Sequence, residues 1–260
     1  MVSPPAPAAL VKSADRTLAI LEILGDAREP VSVTDLHRLT GFPRSSLHQL
    51  LHTMAARRWI EFLNEGATVG VTSRALLTGT SYLDRDRALP YGSRALERLR
   101  EQTGYTTHYA RLDGDSVLYL ETRETFDSHR STSRVGRRLP ANATALGKAL
   151  FAERSEREVL EALGAGPYPA LTTHTITDPE RILDSLARVR ELGYAVEREE
   201  NTIGISCVSA VVPYRIPATD AISCSIPVHR VDEAEISRVA AALRECVDEL
   251  GQLLRSSGIR

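Results

Sequence analysis

Hydrophobic residues recur at two different spacings along the chain. From residue 13 onward Leu18, Ile20, Leu21 and Leu24 form an apolar stripe at helical spacing, and Gly25 suits the end of that helix. Ser32-Val33-Thr34-Asp35 is an N-cap with an acidic residue three places on. It opens a short helix carrying Leu36 and Leu39. Thr40-Gly41-Phe42-Pro43 predicts a tight turn, with Pro43 placed to start the next helix. In that helix Leu47, Leu50, Leu51 and Met54 fall at i, i+3, i+4 and i+7, which makes one buried face. The period then shortens. Residues 59–63 and 67–72 predict two short strands around Asn64-Glu65-Gly66, a hairpin.

The rest of the chain mixes both periods. Residues 73–83 predict a connecting helix, and 91–102 an amphipathic one closed by Gly104. Residues 106–111 and 116–122 flank Leu112-Asp113-Gly114-Asp115, a second hairpin, and 134–139 is a further extended stretch. Residues 143–151 are helical. Ser155-Glu156-Arg157-Glu158 and Thr177-Asp178-Pro179-Glu180 are capping boxes that open two more helices, the second ending at Leu192-Gly193. Residues 194–197, 205–212 and 221–226 are strand candidates. A closing amphipathic helix over 232–254 turns Ile236, Val239, Leu243, Val247 and Leu250 inward.

Three short helices followed by a hairpin is the order of a winged helix-turn-helix. The fold class is therefore α+β: a small N-terminal domain over 12–73 after a Pro/Ala-rich tail at 1–11, a linker helix over 74–87, and a larger domain over 88–260. With the leucines inward, Arg44, Ser45, Ser46, His48, Gln49 and His52 lie on or near the outer face of the second helix of the motif. These are residue types that read base edges in a major groove. Arg57 and Arg58 suit phosphate contacts that position without specifying sequence, and Arg74 is a further candidate. A three-helix bundle whose polar face is merely solvated, or a winged helix that binds protein, fits the same pattern.

Charge narrows the choice little. The formal net charge is −2 over 260 residues, so DNA binding must come from a local face. Residues 12–74 hold 8 Lys/Arg against 7 Asp/Glu, a balance of only +1. The three cysteines, Cys207, Cys224 and Cys246, form no CxxC pair, which argues against a disulfide framework or zinc ribbon. No leader-like segment and no membrane-length apolar run is present, so a soluble cytoplasmic protein with no membrane partner is expected. Gly147-Lys148 is not a phosphate loop, because Asn142 and Ala149 occupy positions that need Gly and Ser/Thr; Lys148 is expected on a helix surface or interface. The histidines His37, His48, His52, His108, His129, His174 and His229 make no HExxH and no tight metal spacing. No metal or cofactor is expected. No nucleophile–base pairing surrounds Cys207, so an enzyme turning over a metabolite in the larger domain is the weaker alternative.

The order of motifs from residue 12 to 254 is similar to that of the IclR family of transcription regulators. The N-terminal match is Ser13-Ala-Asp-Arg16, Val33-Thr-Asp-Leu36 and Thr40-Gly-Phe-Pro-Arg-Ser-Ser-Leu-His48. The C-terminal match runs from Val135-Gly-Arg-Arg-Leu-Pro140 and Ala143-Thr-Ala-Leu-Gly-Lys-Ala149 through Arg190-Glu-Leu-Gly-Tyr194. It continues through Gly204-Ile-Ser-Cys207 to Ile222-Ser-Cys-Ser-Ile226. The resemblance implies a C-terminal GAF or profilin-like domain, a curved antiparallel sheet flanked by helices. That domain would bind a small organic effector, often a carboxylate, and so alter affinity for double-stranded operator DNA. It implies a homodimer or a dimer of dimers. Carried over residue by residue, the effector site would be lined by Ala145, Leu146, Glu197, Cys207, Ser223 and Ser225. Two departures stand out: many members have Asp where this chain has Glu197, and Gly where it has Ile226.

Overall fold

In the computed structural model residues 10–27, 29–125 and 135–260 are described. They form two compact units that meet in sequence between Asp84 and Arg85.

The first unit runs α1 (Lys12–Asp26), β1 (Val31–Ser32), α2 (Val33–Thr40), α3 (Arg44–Ala56), β2 (Ile60–Leu63), β3 (Thr68–Val71) and α4 (Ser73–Asp84). Ser32 starts α2 through its hydroxyl, which accepts the Asp35 amide at 2.9 Å. Gly41 ends it in the left-handed region at φ +64°, where a Cβ would be strained. Ile20 and Leu24 of α1, Leu36 of α2, and Leu47, Leu51 and Met54 of α3 close over Ile60 and Val69 in one core. Leu50 sits at its edge, partly buried. Two expected core residues face solvent: Leu18 is 59% exposed and Leu39 57%. At about 100° per residue Leu18 lies some 160° around the helix from Ile20, off the buried stripe, whereas Leu39 is exposed although it follows Leu36 at i+3, in the last turn of the short α2. Gly25 lies inside α1, which ends one residue later. β2 and β3 pair from Ile60 opposite Val71 to Leu63 opposite Thr68. β1, unforeseen in the sequence, adds to β3 with only two residues, too few to leave a periodic signal.

The second unit holds α5 (Leu89–Thr103), β4 (Thr106–Asp113), β5 (Ser116–Arg123), β6 (Arg138–Pro140), α6 (Ala145–Ala152), α7 (Glu156–Leu163), α8 (Pro179–Leu192), β7 (Ala195–Arg198), β8 (Ile205–Val211), β9 (Asp220–Pro227) and α9 (Glu233–Ser256). Its sheet has the order β6-β5-β4-β9-β8-β7, antiparallel throughout. The extended stretch expected over 134–139 begins outside the described residues. Val135 and Gly136 form a turn, and the strand covers only Arg138–Pro140. α8 is capped by Asp178 rather than Thr177. The Asp178 side chain accepts the Arg181 amide at 3.0 Å, a one-sided cap one residue on. The expected capping box does not form, because Arg181 at the third position has no acceptor to return the bond. The box at Ser155–Glu158 forms in full.

Alternation along the strands gives the sheet two unlike faces. Thr107 bonds the Leu96 carbonyl of α5, and the Tyr109 ring lies so close to Gly92 that a Cβ there would come within 2.8 Å. That face is covered by α5 and α9. His108 and Ala110 point the other way, toward α6. There Ala110, Val117, Tyr119 and Ala221 of the sheet meet Leu146, Leu150 and Phe151 of α6 and Ile182 and Leu186 of α8. Gly147 lets α6 approach the turn before it: a Cβ would sit 2.1 Å from the Ala141 carbonyl oxygen.

Candidate functional site

Two faces of the molecule carry the candidate chemistry, one in each unit. On α3 the burial of Leu47, Leu51 and Met54 turns Arg44, Ser45, His48, Gln49 and His52 to solvent. Arg44, His48 and His52 follow each other at four-residue spacing, so they line one strip of the helix. Within it the rings of His48 and His52 lie 5.1 Å apart, and His52 packs 5.3 Å from Phe62 of β2. Ser46 is differently engaged. Its hydroxyl accepts the Arg16 guanidinium at 2.9 Å and ties α3 to α1. Arg57 and Arg58, just past α3, are both exposed, and Arg58 holds a left-handed backbone at φ +59°.

In the second unit five of the six residues expected to bind an effector come together, and Leu146 lies in the adjoining core. Glu197 stands opposite Cys207, and Cys207 opposite Ser225, in register across β7, β8 and β9. Ser223 stands opposite Ser209 on one side and His108 on the other. All these share the sheet face that looks at α6, where Ala145 packs with Cys207 and Leu146 joins the larger core. Thr144 starts α6, its hydroxyl accepting the Gly147 amide at 3.0 Å. Cys207 and Ser225 are half-buried, and their Sγ and Oγ lie 3.4 Å apart. Ile226, the bulky departure, alternates to the opposite face and is fully buried there, so it does not crowd Ser225.

The ionisable groups here are unusually placed. Glu197 is 2% exposed, and burial pushes its carboxyl up to about 7, although the Glu200 amide donates to it at 2.8 Å. Burial likewise raises the Cys207 thiol well above its ordinary range, so it is a neutral thiol and a poor nucleophile. Lys148 corrects an expectation. It is no surface charge but 2% exposed, with its ammonium held by the carboxylate of Glu200. His108, left undecided by the sequence, is buried with both nitrogens engaged: Nδ1 lies 3.0 Å from Thr122 Oγ1 and Nε2 3.1 Å from Ser225 Oγ. Burial lowers its pKa to about 4, so the ring is neutral.

The helix-turn-helix segment, residues 13–63, matches the family profile described as the IclR helix-turn-helix domain. Residues 80–252 match the bacterial transcriptional regulator IclR C-terminal domain. The chain belongs to the IclR family. It is 32% identical to the HTH-type transcriptional regulator XynR of Escherichia coli over 237 residues, which is 91% of this chain and 94% of that one. It is 30% identical to the regulator BhcR of Paracoccus denitrificans, over 92% of this chain and 86% of that one. Solved IclR structures share the fold. One from Alicyclobacillus acidocaldarius superposes with a TM-score of 0.79 at 22% identity, covering 94% of this chain and 99% of that one. An IclR homolog from Microbacterium hydrocarbonoxydans, solved in complex with 4-hydroxybenzoate, gives 0.75 at 23% identity, covering 94% and 99%.

This IclR member is thus a DNA-binding transcription regulator and not an enzyme. Among the described residues no cluster of His, Cys, Asp or Glu is arranged to hold a metal, and no helix is long and apolar enough to cross a membrane. Sequence reasoning missed Lys148, Glu200 and Thr122, and it left His108 without a role. The signal for Lys148 and Glu200 was absent, because they are 52 residues apart and pair only through the fold.

Proposed function

We propose that a small organic acid held between the sheet and α6 of the second unit controls this regulator's affinity for its operator. The observation carrying this is the row Glu197, Cys207 and Ser225, in register on three neighbouring strands, with its two half-buried members 3.4 Å apart. Ala145, Leu146 and Ser223 complete the site. The Microbacterium relative bound to 4-hydroxybenzoate supports an acid as the ligand class. Two copies of the chain, or a dimer of dimers, set their α3 helices in successive major grooves, on half-sites about 34–36 Å apart or a multiple of that. Arg44, Ser45, His48, Gln49 and His52 face the bases, Ser46 braces the helix from α1, and Arg57 and Arg58 hold phosphates. The protein acts in the cytoplasm. The linker helix, expected over 74–87 and formed as α4 over Ser73–Asp84, carries the coupling, which is typically about 1–3 kcal/mol.

The test starts with fragmented genomic DNA of the source organism captured by the full chain, which should return one recurring sequence. Arg44→Ala and Gln49→Ala should each lose that sequence while melting at the wild-type temperature; retention by both removes α3 from the groove. A thermal-shift screen of the full chain against small organic acids should find one that raises the melting temperature. Ser225→Ala should blunt the acid's effect on DNA binding without changing ligand-free affinity.

A further inference from the structure

The acid-binding reading leaves one buried group unexplained. His108 is 1% exposed and lies on β4, outside the row of expected effector residues, yet its Nε2 reaches the Ser225 hydroxyl at 3.1 Å. Thr122 on β5 holds the other ring nitrogen at 3.0 Å, and the Tyr119 ring stands edge-on to the imidazole at 5.4 Å. The imidazole is therefore fixed from both sides. A hydrogen-bonded line runs Thr122–His108–Ser225–Cys207 across β5, β4, β9 and β8, and ends beside Glu197 on β7. Along this line Thr122, Cys207 and Ser225 are half-buried, while His108 and Glu197 are closed off from solvent.

The charges around that opening decide what it accepts. The His108 ring is neutral because burial lowers its pKa, and the Cys207 thiol is neutral because burial raises its own. Glu197 contributes a carboxyl group, and the nearby Lys148 ammonium is taken by Glu200. Among these described residues a ligand carboxylate at Ser225 would meet neutral groups and a carboxyl, the Lys148 ammonium being held by Glu200. A ligand hydroxyl can take either role, donating to the Ser225 oxygen or accepting its proton, whichever His108 leaves free, whereas an ionised carboxylate can only accept.

We propose, resting on the acid-binding reading above, that His108 is a positioning residue: it orients Ser225 to receive a hydroxyl of the ligand, so this end of the site selects hydroxy acids over the corresponding simple acids. The carboxylate of such a ligand lies away from Ser225, and its hydroxyl makes one hydrogen bond with Ser225, as donor or acceptor according to which role His108 leaves free. Thr122 holds His108 in turn.

The test uses matched probes on the full-length protein: 4-hydroxybenzoate against benzoate, 3-hydroxybutyrate against butyrate, and glycolate against acetate. Each is followed by thermal shift, and then by calorimetry for any pair that raises the melting temperature. In the wild type the hydroxylated member of such a pair should bind about tenfold more tightly, as one well-made hydrogen bond allows. In His108→Phe that ratio should fall to about one, with the simple acid bound as before. His108→Gln, whose amide can still reach Ser225, should keep part of the preference. A purely structural role would weaken both members of a pair alike. Equal affinities in the wild type, or a ratio unchanged in both variants, overturns this assignment and leaves the acid-binding reading standing. Silence from all six probes removes that reading and this inference with it.

Discussion

At the scale of single residues, the second unit places ionisable groups where burial outweighs their ordinary chemistry. Glu197 is the clearest case. Its carboxyl titrates at about 7 in the folded protein against about 4.5 ordinarily. The folded state therefore holds its proton where the unfolded chain has released it. Stability from this group is fully present below about pH 4.5 and is lost as pH rises through about 7, in total on the order of 3 kcal/mol. Urea denaturation at pH 5 and pH 8 should show that loss in the wild type and a flatter dependence in Glu197→Gln. A wild type as stable at pH 8 as at pH 5, relative to the variant, would mean the carboxyl is not desolvated. The residues of the candidate site were proposed from the sequence, and their electrostatics were not legible there. Cys207, Ser223 and Ser225 followed from the order of motifs. The neutral state of His108 and the raised carboxyl depend on how deeply each group is buried, which no local pattern encodes.

At the scale of elements, β9 and α6 do most of the positioning. β9 begins at Asp220, which is fully buried and gathers the hydroxyls of Tyr109 at 2.6 Å and Tyr214 at 2.5 Å with the Arg111 guanidinium at 2.6 Å. Burial opposes its ionisation, and Arg111 with the two tyrosines outweighs that, holding the carboxyl below its ordinary range. Arg111 also pairs at 2.6 Å with Asp86, which caps the start of α5 through the Ala88 and Leu89 amides. Asp220→Asn keeps the shape but removes the charge from a buried pair, and should cost about 3 kcal/mol in chemical denaturation. A loss under about 1 kcal/mol would show that the tyrosines and Asp86 suffice. Gly147→Ala puts a methyl group 2.1 Å from the Ala141 carbonyl oxygen, so α6 must move off the turn. We expect a loss of roughly 1–3 kcal/mol, seen as a lower melting temperature, with weaker binding of any acid that stabilises the wild type. The helices were visible in the sequence because caps and periodicity are local. Thr177 misled by one place, since Asp178 is equally good cap chemistry and adjoins the proline that opens α8.

At the scale of the whole molecule, a chain of net charge −2 has to bind DNA through a small cationic face. Arg44, Arg57 and Arg58 are exposed on and just after α3. Operator affinity should fall steeply with salt, and Arg57→Ala or Arg58→Ala should each lower the slope of log affinity against log salt by about one without relaxing sequence preference. Fluorescence anisotropy with a labelled operator from 50 to 250 mM salt measures this. A slope unchanged in both variants would take these arginines off the phosphates. Leu76 and Leu77 of α4 are 68% and 71% exposed, and Leu10 and Leu18 in and before α1 are similarly open. Apolar surface of this kind fits the expected pairing of chains, and sedimentation at micromolar concentration should give a species of at least two copies.

The sequence alone determined the winged helix-turn-helix, the α+β division of the chain and the family, because caps, turn glycines and the period of hydrophobic residues act over a few neighbours. It also placed Arg44 and Gln49 outward, since the stripe Leu47, Leu51 and Met54 leaves them no other side. Only the tertiary structure decided that Leu18 and Leu39 stay in water, that Lys148 is buried on Glu200, and that His108 reaches Ser225 across a strand pair 117 residues apart in the chain. Those outcomes depend on which surfaces are removed from solvent and which charges are forced together. Both are set by packing between distant segments and not by any stretch of sequence read in isolation.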